Sequence, residues 1–187
     1  MKAGIVTAVA LVLAVAACSN VKQVPDESAV RDAIDGLNQE LIECWNGGEY
    51  ECVAGFFSED GWQMMPNAQA QAGPEAIRRF WQQAFGWGQW EFSAETSLLE
   101  QSGPVAIERG KYVIRFAADA AAPPGRTSSQ DRGNYITHWR LESDGRWRIA
   151  AQALVSEVPA RVVPAAPAAT PPGQPPASQP GVPEEIR

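Results

Sequence analysis

The spacing of apolar residues changes once along this chain, and that change limits the folds open to it. As far as Phe85 the apolar positions recur every three to four residues; beyond Gly86-Trp87-Gly88 they recur every two. Val30, Ile34, Leu37, Leu41 and Trp45 mark a first amphipathic helix behind the capping candidates Asp26 and Ser28. Asn46-Gly47-Gly48 stops it, and Tyr50 to Ser58 reads as a short second helix with Val53, Phe56 and Phe57 on one face. Gly61 to Pro66 is a brief strand. Gly73-Pro74-Glu75 opens a third helix, with proline where a missing N–H does no harm, and Ile77, Phe80, Trp81 and Phe85 form its apolar stripe. Glu91 to Glu100, Ala106 to Phe116, Gly133 to Glu142 and Arg146 to Ser156 then alternate as four long strands, the last two joined by a hairpin at Ser143-Asp144-Gly145. The connection from Ala117 to Asp131, with Pro123-Pro124-Gly125, is too long for a tight hairpin. Three helices followed by a run of antiparallel strands predict an α+β domain in which a strongly curved sheet wraps the helices.

The two ends differ from this unit. Lys2 precedes an apolar and small-residue run from Ala3 to Val15, too short to span a bilayer, that closes on Val15-Ala16-Ala17-Cys18. Such a run reads as an export signal. The junction also resembles the bacterial lipobox, which implies cleavage before Cys18, acylation of that cysteine and attachment to a membrane through the acyl chains. Ser19, where an aspartate would favour the inner membrane in Gram-negative lipoproteins, implies the periplasmic face of the outer membrane. From Val158 onward the chain is rich in proline and alanine without apolar periodicity, so it cannot build a core. The expected organisation is therefore a signal peptide over 1–17, a tether over 18–25, one domain over 26–157 and an extended or disordered tail over 158–187.

The formal net charge is −7 and the basic residues form no run, which argues against nucleic acid as a partner. With Cys18 acylated, Cys44 and Cys52 remain, and in an exported chain they read as a disulfide. No metal-ligand spacing surrounds them, and the single histidine, His138, lies far along the sequence, so neither a metal nor another cofactor is expected.

Four stretches resemble the NTF2-like superfamily, in particular its SnoaL-like and DUF4440 families. Cys44-Trp45-Asn46-Gly47-Gly48-Glu49 is similar to a "WNxGD" region, and Gly73 to Trp81 to a "GxxAIRxFW" helix start. Glu108 to Tyr112 matches an "ERGxY" strand and Asp144 to Ala150 a "DGxWRIA" strand. Their order implies a cone-shaped sheet closing over three N-terminal helices to leave one apolar pocket, although this fold hosts enzymes, binders and assembly modules alike.

In ketosteroid isomerase, the best understood enzyme of the superfamily, a carboxylate base moves a proton while a tyrosine and a protonated aspartate hold the oxyanion. Here the resemblance puts Met65 at the base position, Leu41 at the tyrosine position and Thr137 at the aspartate position. The two tyrosines that support the catalytic one become Phe57 and Trp81. An acid common on the last strand of related sequences becomes Gln152, which orients but does not take a proton. The expected ligand pocket comprises Leu41, Met65, Phe80, Trp81, Thr137 and Gln152, with Trp62 and Tyr135 nearer a mouth. Alternation turns His138 to the opposite face from Thr137, and Glu108 and Arg109 are expected on a solvated strand edge. The function expected is binding of a small, largely apolar or amphipathic molecule without catalysis. The alternatives are an isomerase-type enzyme with non-standard groups and a module that forms homodimers or larger assemblies through the open face of its sheet.

Overall fold

The computed structural model describes residues 26–159 and the backbone of residues 161–162. The signal segment, Cys18, the tether and the tail beyond residue 162 lie outside the described residues. Helix α1 (Glu27–Asn46) buries Val30, Ile34, Leu41, Cys44 and Trp45, the face set by its apolar period. Asp26 occupies its N-cap position without a side-chain cap. Gly48, at a φ of +69°, lets the chain turn into α2 (Tyr50–Gly55). A disulfide between Cys44 and Cys52, with Cα atoms 5.8 Å apart, clamps the two helices as expected from the sequence. Helix α3 (Pro74–Phe85) starts behind Gly73, whose φ of +79° few other residues would accept, and buries Ile77, Trp81 and Ala84.

The second helix stops three residues short of the expected Ser58. Phe57 and Ser58 belong instead to strand β1 (Phe57–Met64), where Phe57 pairs with Ile149. Long-range pairing overrides a spacing that also fits a helix. A two-residue strand β2 (Gln71–Ala72) pairs with β1, followed by β3 (Gly88–Ser102), β4 (Val105–Ala118), β5 (Ser129–Leu141) and β6 (Trp147–Ser156). The spatial order is β2-β1-β6-β5-β4-β3. The sheet is not wholly antiparallel, because β1 and β6 run parallel. It also extends past Glu157, where a tail was expected to begin: β7 (Arg161–Val162) pairs with Ser129 and Gln130 of β5.

Register shifts at Phe57/Trp62, Thr96/Leu98 and His138/Trp139 bend the strands, and the bent sheet closes over α1 and α3. Asn46, the last residue of α1, donates to the Phe92 carbonyl and accepts from the Phe92 N–H, so one side chain pairs with β3 as a strand would. The core between helices and sheet is strongly aromatic. Trp45 packs on Trp81 and Phe92 with ring centroids 4.2 and 4.5 Å apart, and Trp81 packs on Phe80, Phe85 and Trp90.

Candidate binding site in the cone

The concave face of the sheet carries one fully buried carboxylate. Glu108 alternates inward with Ala106, Gly110 and Tyr112 on β4 and is 0 % exposed. The expectation that it sits on a solvated edge is overturned, while its neighbour Arg109 does face outward. Glu108 Oε1 accepts from Asn38 Nδ2 at 2.8 Å, from the Thr96 hydroxyl at 2.6 Å and from the Tyr135 hydroxyl at 2.6 Å. Its Oε2 accepts from Trp139 Nε1 at 2.7 Å. Three donors converge on Oε1 and one on Oε2, so four side chains hold the carboxylate in place. No ion pair among the described residues involves it; neutral donors from α1, β3 and β5 do the work a cation would otherwise do.

Tyr135 reaches Glu108 because its strand partner is Gly110. A Cβ at Gly110 would lie 2.7 Å from the Tyr135 ring and 2.1 Å from the Glu95 carbonyl oxygen, so the ring occupies space that only glycine leaves. Burial, reinforced by the adjacent carboxylate, holds the Tyr135 phenol well above the usual tyrosine range.

A second buried relay runs from α3 through β1 and β6 to β5. Trp81 Nε1 donates to Gln63 Oε1 at 2.7 Å, Gln63 Nε2 to Gln152 Oε1 at 3.2 Å, and Gln152 Nε2 to Thr137 Oγ1 at 3.5 Å. Three of the expected pocket residues, Trp81, Gln152 and Thr137, are thus brought together through Gln63, which the sequence reading passed over. Leu41 is buried; Met65 and Phe80 are partly buried against the same core. Tyr135 belongs to the carboxylate network. Trp62 stands apart on the outer face of the sheet, 50 % exposed. His138 also turns to that face, opposite Thr137, with Ile107 and Ala151 as its strand partners.

Among the described residues three buried side-chain polar atoms are left without a partner: Asp131 Oδ1, His138 Nε2 and the indole nitrogen of Trp45. Trp45 is 1 % exposed, and its Nε1 has no hydrogen-bond partner. Beside it opens a cleft of about 450 Å³ lined by Trp45, Asn46, Gly48, Phe85, Gln89 and Trp90, between the end of α1, the end of α3 and the start of β3. Level with Phe92 and two strands across the sheet, the Tyr112 and Ser156 hydroxyls both donate to Asp131 Oδ2 at 2.9 Å, and burial pushes the Tyr112 phenol up to about 12. Cys44, Cys52 and Glu49 also come within 4.8 Å of one another, but the two sulfurs are bonded to each other.

Residues 38–150 match the model of the SnoaL-like domain family, which is most of the helical unit and the sheet. The chain belongs to that family. Solved SnoaL-like and related folds superpose on most of it. A ketosteroid isomerase-like protein from Erwinia carotovora atroseptica is similar at 16% identity and a TM-score of 0.59, covering 68% of this chain and 96% of that one. A putative scytalone dehydratase from Novosphingobium aromaticivorans is similar at 15% identity and a TM-score of 0.63, covering 79% and 95%. A protein of unknown function from Mycobacterium tuberculosis is similar at 25% identity and a TM-score of 0.60, covering 71% and 75%. No curated protein matches the sequence. The SnoaL-like family accounts for the α+β fold.

Proposed function

We propose that this SnoaL-like domain is a binding module, held at the cell envelope by a lipid on Cys18, that takes a small, largely apolar molecule into the aromatic end of its cone without turning it over. One observation carries the reading: the interior carboxylate is tied down by four side-chain donors, while the indole N–H of Trp45 has no acceptor. The Trp81–Gln63–Gln152–Thr137 relay contains no side chain that titrates near neutral pH. An unmet donor in a wall of Trp81, Phe85 and Trp90 suits a ligand with an apolar body and one acceptor oxygen, entering by the cleft beside Trp45. The lipid anchor rests on the Val15-Ala16-Ala17-Cys18 junction.

The test is native mass spectrometry of the purified full chain, followed by extraction of any retained molecule and rebinding of it. Replacing Trp45 by benzothienylalanine, which carries sulfur in place of the N–H, keeps the bicyclic ring and removes only the donor. It is expected to weaken rebinding about tenfold, the size of one buried hydrogen bond, and to leave the apo protein as stable as before or slightly more so. Conversion of the extracted molecule by the wild-type protein, lost in Thr137→Ala or Gln152→Ala, would make the domain an enzyme. For the anchor, mass spectrometry of the mature N-terminus should show acylated Cys18; an unmodified cysteine would remove that part of the reading.

A further inference from the structure

The outer face of the sheet holds a second concavity, which opens over Gly110 and Tyr135. It measures about 610 Å³, within the range of small-molecule sites, and its walls include Leu98, Ile136, Ala153 and Val155 together with Arg109 and Asn134. Ile136 is 48 % and Val155 63 % exposed, large values for branched apolar side chains.

The strand register sorts these residues by chemistry. Arg109 on β4 lies beside Ile136 on β5, which lies beside Ala153 on β6, which lies beside Met64 on β1. The adjacent row runs from Lys111 through Asn134 to Val155. Cations therefore sit on the β4 side and apolar groups on the β6 and β1 side. Three strand spacings separate the ends, roughly 14 Å, the reach of a medium-length alkyl chain.

Arg78, Arg79, Arg115, Arg140, Arg146 and Arg148 each pair with a carboxylate. Arg109 and the exposed Arg132 of β5 have no such partner among the described residues, in a chain whose net charge is −7.

We propose that this groove binds a free single-chain amphiphile with an anionic head, such as a long-chain carboxylate. Its head group meets the Arg109 guanidinium with Lys111 adding field, and its chain crosses Ile136 and Ala153 toward Met64. The site stands independently of the reading of the cone, because none of the aromatic residues at Trp45 contributes to it.

The experiment is equilibrium dialysis of radiolabelled dodecanoate, below its micelle concentration and at low salt, against the full chain with Cys18→Ser to avoid detergent. One saturable equivalent is expected. Arg109→Gln should weaken it at least tenfold, Arg109→Lys should restore most of the affinity, Ala153→Trp should block the groove, and Arg115→Gln should change nothing. Dodecyltrimethylammonium should not compete. If Ala153→Trp fails to fold, the Arg109 pair decides alone. The proposal fails if binding is not saturable, if Arg109→Gln binds as tightly as the parent, or if the cationic amphiphile competes equally. It also fails if the ligand-free chain sediments as a dimer that Ile136→Glu dissociates, or if the chain ignores free dodecanoate and binds only phosphatidylglycerol vesicles.

Discussion

A fully buried carboxylate with no ion-pair partner among the described residues is the most demanding single group in this protein. Removing the Glu108 side chain strands four donors that cannot reach solvent, so Glu108→Ala is expected to cost on the order of 3–5 kcal/mol, read as a lower urea midpoint. Glu108→Gln should cost less, about 1–3 kcal/mol, because one amide oxygen can still accept while the amide N–H₂ opposes the donor-only Trp139 indole. The two buried phenols set a pH dependence. Tyr135 and Tyr112 both ionise less readily in the folded chain than the ordinary value of 10.0, Tyr112 being pushed up to about 12. The folded state then holds protons that the unfolded state gives up. Their stabilisation is intact below pH 10 and is lost as pH rises toward the folded values. Denaturant titrations from pH 8 to 12 should show that decline, and it should be shallower in Tyr135→Phe. Glu108 was partly legible beforehand, since it alternates in phase with Ala106, Gly110 and Tyr112. Its charge suggested solvent, and its partners come from α1, β3 and β5, contacts that no local pattern encodes.

At the level of elements, the helices could be read because each has one apolar face with its own period. The strand that matters most to the site was harder. Val53, Phe56 and Phe57 fit a helix as well as they fit a turn into β1, and the choice is made by Phe57 pairing with Ile149 far along the chain. Gln63, the link between Trp81 and Gln152, lies within the strand read from Gly61 to Pro66, but its partners on α3 and β6 are contacts that no local pattern encodes. Two elements give direct tests. A methyl group at Gly110 would collide with both the Glu95 carbonyl and the Tyr135 ring, and one of these is backbone. Gly110→Ala should therefore destabilise the fold by several kcal/mol, more than the roughly 1 kcal/mol typical of point substitutions, as thermal unfolding would register. The disulfide closes a short loop between α1 and α2, with a sequence separation of 8. Its loss in Cys44→Ser/Cys52→Ser should lower stability by about 2–3 kcal/mol in a model of loop entropy, with the cone otherwise intact by circular dichroism.

For the whole molecule, the sheet presents two unlike faces. The inner one is closed by aromatic packing and two hydrogen-bonded relays; the outer one leaves Trp62, Met64, Ile136 and Val155 uncovered. The cone and its general shape followed from four short stretches resembling one superfamily. The filling of the cone did not, since the same shape accepts many interiors and the substitutions at Leu41, Met65 and Thr137 only say which chemistry is missing. The parallel pairing of β1 with β6 has a further consequence, in time rather than in space. A chain made from its N-terminus carries Phe57, Gln63 and Trp81 long before it carries the strand that buries them, and only two-residue β2 is at hand meanwhile. Phe57, Gln63 and Trp81 wait for the last long strand, so a chain cut before it would leave an apolar sheet edge open to whatever it met first.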